Sequence, residues 1–297
     1  MFAGAPDAST AGVVDDHTDL YGSRFWTTHQ LERGLPPIEE RERTDLTHRC
    51  LHWLRALLRY RRPPARLLEI GASHGGFVRL ARLAGFDAVG IEMSPTIVAR
   101  ARRTFGVEMR VGPLESASFA DAAFDVVVSF DVLEHLAHPE ATLREIRRVL
   151  RPDGVLLSQT PDVRDVAYSA LHAANDPFLA LLGPEHLFLF SKGAARAILM
   201  RTGFPNAVFE PPVFPRDMFF VAGAELPAAR CADDVARALL ETPDGRIALA
   251  LLDLYEHDAA MGTVAAERQT VIDGLSAACD ERLALIERLD RELRDLR

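Results

Sequence analysis

The sequence predicts an α/β fold: a doubly wound parallel sheet closing with a reversed last strand, with a helical cap before it and a helical, heptad-patterned extension after it. Three observations carry this. An apolar run, Leu67-Leu68-Glu69-Ile70, passes through Gly71-Ala72-Ser73-His74-Gly75-Gly76 straight into a helical pattern. Apolar strand-length runs then alternate with amphipathic helical stretches, the rhythm of a parallel sheet with crossover helices. Last, two extended runs separated by prolines, Asn206–Phe209 and Met218–Ala222, read as an antiparallel pair.

The chain has 297 residues, of which 48% are hydrophobic, enough for one large domain with additions. Residues 1–19, rich in Ala, Gly, Ser, Thr and Asp, lack a basic region and an apolar core, so they read as a disordered leader and not a signal peptide. Residues 20–64 form a helical cap. Within it Cys50–Leu58 places apolar side chains at i, i+3, i+4 and i+7, giving one buried face, and Pro63-Pro64 ends the helix. Residues 65–225 form the main domain. Leu67–Ile70 is its first strand and Gly76–Ala84 its first helix. Ala88–Glu92 is the second strand, followed by a helix opening at Pro95, where proline suits a first turn. A short strand lies near Met109–Val111. Phe124–Phe130 is apolar on both faces and therefore central. Pro139–Leu150 is an amphipathic helix, Arg151-Pro152-Asp153-Gly154 a turn, and Val155–Gln159 the fifth strand. A mostly helical stretch reaches Gly203 before the antiparallel pair.

Residues 226–262 read as a helical extension and 263–297 as a candidate coiled coil. Ile272, Leu275, Cys279, Ile286, Leu289, Leu293 and Leu296 occupy a and d positions of one heptad register, broken only by Arg282. The segment offers a route to a homo-oligomer; a terminal helix docked on its own domain is the competing reading. Net charge is −9, which argues against a nucleic-acid footprint. The basic run Arg55, Arg59, Arg61, Arg62 and Arg66 reads as a solvated face. No apolar run is long enough for a membrane span. The three cysteines, Cys50, Cys231 and Cys279, are too scattered for a metal knuckle or a disulfide framework, and point to reduced thiols in the cytoplasm.

The glycine turn is where chemistry begins. Glycines there let the backbone approach a ligand closely, but the spacing is not the Gly-x-Gly-x-x-Gly of dinucleotide enzymes. Glu92 ends the second strand about twenty residues on, where a carboxylate can accept both hydroxyls of a ribose. The composite Phe124-Asp125-Val126-Val127-Val128-Ser129-Phe130-Asp131-Val132-Leu133-Glu134-His135-Leu136 follows, and then Leu143 through Gly154. Further on come Gly183-Pro184-Glu185-His186-Leu187-Phe188 and Leu199–Phe204. Together these resemble the class I S-adenosylmethionine (SAM)-dependent methyltransferases with a Rossmann-like domain, the small-molecule and ubiquinone-pathway type. More loosely, Arg24–His29 and the tail resemble methyltransferases encoded with bacterial glycan enzymes.

The resemblance implies SAM as cofactor. It implies that Glu69, Gly71, Ser73 and Gly75 line the methionine moiety, that Glu92 takes the ribose and Met93 the adenine. Phe130 and Asp131 would flank the amino-acid end and the methyl group. Ser73 stands where a glycine is frequent. Pro113 stands where many relatives carry an Asp on the adenine, so Leu114 backbone or Glu115 would substitute. The implied acceptor is a hydroxyl of a small molecule or a sugar unit. An oxygen acceptor needs a base, for which His186 is the first choice, with Asp131 and His135 beside it and His138 as a further candidate. Asp131, Glu134 and His135 would also suit Mg²⁺, but the expectation adopted is a metal-free site. His74 either touches the cofactor carboxylate or faces solvent. Tyr21, Phe25 and Trp26 would form a lid or pack in the cap. Two other classes compete: a nicotinamide-dependent oxidoreductase, and a non-catalytic SAM-binding scaffold assembled through the heptads.

Overall fold

A computed structural model describes residues 36–164 and 186–295, together with Leu31 and Gly34. The leader, the aromatic trio Tyr21, Phe25 and Trp26, and Gly183–Glu185 lie outside the described residues. Two compact units are present, residues 1–251 and 252–297.

The first unit opens with α1 (Ile38–Asp45), a π-helical turn (Leu46–Cys50) and α2 (Leu51–Tyr60). The sheet and its crossovers follow: β1 (Arg66–Ile70), α3 (Gly76–Leu83), β2 (Asp87–Glu92), α4 (Pro95–Phe105) and β3 (Met109–Val111). Next come a 3₁₀ turn (Leu114–Ser116), β4 (Phe124–Phe130), a second 3₁₀ turn (Leu133–His135), α5 (Pro139–Val149) and β5 (Leu150–Pro161). After the undescribed stretch come α6 (Lys192–Arg201), β6 (Asn206–Glu210), β7 (Asp217–Gly223), α7 (Ala232–Leu239) and α8 (Pro243–Asp295).

The sheet has seven strands in the order β3-β2-β1-β4-β5-β7-β6. β1 to β5 are parallel, and β7 runs antiparallel to both β5 and β6. The doubly wound sheet with a reversed strand is thus as expected, and the reversed strand sits inside the sheet, between β5 and β6. All seven residues of β4 are buried, as a central parallel strand demands. On one face Leu68, Ile91, Val127, Ile146, Phe204 and Phe220 belong to a single apolar cluster that joins the sheet to α5 and α6. Strand alternation turns Leu67, Val126 and Val128, all fully buried, to the opposite face.

One expectation is corrected. Arg151–Gly154 is not a turn between helix and strand; it belongs to β5. Leu150 already pairs with Phe124, then the register shifts before Val155 pairs with Val126, so the intervening residues bulge from the sheet. The bulge is held from outside, Arg151 to Asp125 (3.0 Å) and Arg61 to Asp153 (3.0 Å). Local turn chemistry was legible at Pro152-Asp153-Gly154, but its pairing with β4 depended on partners far along the chain.

The strand order reverses between β1 and β4. Ligands in open parallel sheets bind outside the carboxyl ends of the strands at such a point. Ile70 and Phe130 end the two strands there.

Candidate active site

A cavity of about 840 Å³ opens at that crevice. Of the residues singled out in the sequence, Glu69, Gly71, Ser73, Glu92, Met93, Leu114, Phe130, Asp131, His135 and His186 all line it. Gly75 and His138 are not among its lining residues. Gly75 caps α3 at φ 80°, and a Cβ there would meet Val107 and Ala101 at 3.0 and 3.1 Å, so its glycine serves backbone conformation and packing. His138 lies at the start of α5, on a separate groove.

The glycine turn is tied down from two sides. The Glu92 carboxylate accepts the backbone N–H of Ser73 (3.0 Å) and of Ser94 (3.2 Å), so the end of β2 sets the loop. Ser73 itself adopts φ 47°, the left-handed region where a glycine would be unstrained. His74 is buried and does not face solvent: its Nε2 lies 3.2 Å from Asp45 Oδ2 in α1, and its Nδ1 accepts the N–H of Gly76 (3.1 Å). Burial would raise the Asp45 carboxyl, but the His74 hydrogen bond and the Arg41 charge bring it down to about 2. Gly71 has φ 67°, and a Cβ there would stand 2.5 Å from Val132 Cγ2, so no larger residue fits beneath the strand-end turn.

Glu69 is fully enclosed. Burial pushes its carboxyl well above the usual range, and Glu92 adds to the shift. Its Oε2 and the Ser73 hydroxyl are buried with no hydrogen-bond partner among the described residues. Buried polar atoms without partners are rare, and here two of them face one loop of one cavity.

The other end of the cavity is built by the cap, through residues that the sequence reading did not select. Arg49, in the π-helical turn, forms an ion pair with Asp131 and lies over the rings of Trp53 (5.1 Å) and Phe214 (5.3 Å). Burial works against its charge, and Asp131, Asp45 and Cys50 together more than offset this. Trp53 stacks on Phe130 at 3.9 Å and donates its Nε1–H to Gln159 Oε1 (3.0 Å). Gln159 Nε2 in turn donates to Asp131 Oδ1 (3.0 Å). Asp131, at φ 56°, is therefore held by β5 and the cap together. The helical period marked the face of Trp53 as buried. It carried no signal that Arg49, one turn before, would reach Asp131 just past β4; a π-helical turn re-aims side chains relative to the α period, and such turns are frequent at functional sites.

Beyond Asp131 the imidazoles of His135 and His186 pack edge to face, ring centroids 4.7 Å apart. Glu134 is buried beside them. Its Oε2 accepts the Thr160 hydroxyl (3.0 Å), and burial, then the Asp131 charge, lifts its carboxyl well above the usual range. Ligand atoms of Glu134, His135 and His186 lie within 4.8 Å of one another, close enough to hold a metal ion. Asp217, the first residue of β7, also lines the cavity; burial and Asp131 raise it to about 7. Glu115 lines the cavity beside Pro113, its carboxylate accepting the Thr142 hydroxyl (2.6 Å).

Residues 41–207, more than half of the chain, match the family described as a methyltransferase domain. The chain belongs to the class I SAM-dependent methyltransferases. A nicotinamide oxidoreductase is thereby set aside. This methyltransferase is 35% identical over 218 residues to the glycine/sarcosine/dimethylglycine N-methyltransferase of Actinopolyspora halophila, covering 71% of this chain and 38% of that protein. It is 29% identical over 149 residues to a ubiquinone biosynthesis O-methyltransferase of Xanthomonas campestris, covering 47% and 62%. The methyltransferase spans about half the length of the curated relatives it matches. Its fold is that of a chain in the Haloferax volcanii complex of the Trm112 methyltransferase activator with a putative methyltransferase (TM-score 0.50, 20% identity, covering 67% of this chain and 96% of that one). The methyltransferase's residues fit SAM: an enclosed carboxylate with an unpartnered oxygen suits an ammonium, and a Gly71 that admits no Cβ leaves the approach open. Among the described residues no helix is long and apolar enough to cross a membrane.

Proposed function

We propose that this methyltransferase transfers the methyl group of SAM to a hydroxyl of a small molecule or sugar unit, in the cytoplasm, with His186 as general base. The observation that carries the reading is that one cavity holds both the glycine turn and the His135–His186 pair. Bound SAM supplies an electrophilic methyl on a sulfonium whose leaving group is a neutral thioether. Glu69 and Ser73 hold its ammonium end, Glu92 its ribose and Met93 its adenine, with Leu114 completing the adenine wall. An incoming ammonium offsets the cost of burying the Glu69 charge. Asp131, fixed by Arg49 and Gln159, and Phe130, fixed by Trp53, orient donor and acceptor for in-line displacement; such alignment supplies much of the barrier reduction in group transfer. His186 accepts the acceptor's hydroxyl proton as the new carbon–oxygen bond forms, and His135 orients its ring. Two exposed free thiols, Cys231 and Cys279, suit the reducing compartment proposed.

A nitrogen acceptor is the second reading. Asp131 and Asp217, with Trp53, Phe130 and Phe214, make a wall that would also receive an ammonium group. A tritiated-SAM screen against hydroxylated metabolites, glycans and amines, with mass spectrometry of the methylated atom, separates the two. For an oxygen acceptor, His186→Ala lowers turnover by about 10²–10⁴-fold while SAM affinity stays within about twofold. Full activity in that variant overturns the assignment and leaves Asp131 or His135 as the base.

A further inference from the structure

None of the site's chemistry uses the heptad-patterned end of α8. We propose that residues 272–295 pair with the same segment of a second copy of this chain as a parallel, in-register two-stranded coiled coil. α8 is one unbroken helix of 53 residues. From Glu256 to Ala284 every side chain is exposed. Ile272, Leu275 and Ile286 are 56%, 62% and 61% exposed, and Val271 and Leu283 extend the same stripe. Most helix stability in proteins comes from packing an apolar face, and within its own unit this stripe is left exposed.

The register identifies the occupant. Ile272, Cys279, Ile286 and Leu293 take a; Leu275, Arg282, Leu289 and Leu296 take d. β-branched residues at a with leucine at d favour two parallel strands. Arg282 forms a single polar layer: in register it meets only itself, with long stems that carry both charges outward, whereas a slip of one heptad buries it against Leu275 or Leu289.

Parallel, in-register pairing places the two Cys279 side chains opposite each other in one a layer, within the span of a disulfide. Cys279 is exposed in the single chain, as is Cys231, while Cys50 is buried. The test uses the full chain carrying Cys231→Ser, treated with diamide. The expected mass in solution at micromolar concentration is twice the 32.8 kDa of one chain, and most of the protein runs as a linked dimer on a non-reducing gel. Cys279→Ser abolishes the link and leaves the doubled mass. Ile272→Asp with Ile286→Asp halves the mass and leaves the unfolding temperature of the methyltransferase unit unchanged, since both side chains are already exposed in one chain. A single-chain mass overturns the proposal. A doubled mass that survives the two aspartates overturns the tail as the interface, and a doubled mass with no Cys279 link overturns the parallel register.

Discussion

Trp53→Phe tests how the cap holds the site. Trp53 is 6% exposed, stacks on Phe130 at 3.9 Å and meets Phe77 edge-on at 6.1 Å. Phenylalanine keeps a ring in the stack but removes the Nε1–H that Gln159 Oε1 accepts. Gln159 is fully buried, so its oxygen loses a partner with no water to replace it. An orphaned buried acceptor costs about 1–3 kcal/mol. The smaller ring forfeits roughly 1 kcal/mol of burial, at ~25 cal/mol per Å² over some 40 Å². The sum is about 3 kcal/mol, a fall of about 6–12 °C in Tm for a domain of this size. Urea unfolding followed by far-ultraviolet circular dichroism measures it. The double-mutant cycle with Gln159→Leu isolates the bond, because removing both polar partners is far cheaper than removing one; the expected coupling is about 1–2 kcal/mol. A loss under about 0.5 kcal/mol in Trp53→Phe, or a coupling near zero, refutes the chain from Trp53 through Gln159 to Asp131.

Asp217 makes stability depend on pH. Burial and the Asp131 charge raise it from 3.8 to about 7, so between those values the native state keeps a proton that the unfolded chain releases. Stability therefore falls as pH rises through that window and levels off above it. Asp217→Asn removes the effect and, allowing for partial solvent access, stabilises the protein by about 1–2 kcal/mol more at pH 8 than at pH 4. An identical gain in Tm at both pH values excludes Asp217 as the titrating group. Glu92→Ala frees two backbone N–H groups and removes the carboxylate proposed to hold the ribose, so SAM affinity falls about ten- to a hundredfold by calorimetric titration. An unchanged dissociation constant removes Glu92 from the ribose.

The glycine-turn end of the cavity was far more legible than the end lined by Arg49, Asp131 and Asp217. Glu69, Gly71, Ser73 and Glu92 lie on two adjacent strand-to-helix junctions, where apolar runs, glycines and a terminal carboxylate are short-range signals. The π-helical turn at Leu46–Cys50 has no comparable signature. His74 shows the same limit, since nothing in its neighbourhood in the sequence announces Asp45. His138 sits only three residues from His135, yet the short turn Leu133–His135 sends one into the cavity and the other to the head of α5.

The sequence by itself determined the α/β class, the parallel core, the reversed strand and the glycine turn, because period, glycine placement and strand-end carboxylates are properties of neighbouring residues. Only the tertiary structure decided which groups meet. Arg49 reaches Asp131 across 82 positions and Trp53 reaches Gln159 across 106. β7, entering between β5 and β6, carries Asp217 to the same cavity. Those contacts arise from packing the cap against the sheet, a long-range event whose geometry no local pattern encodes.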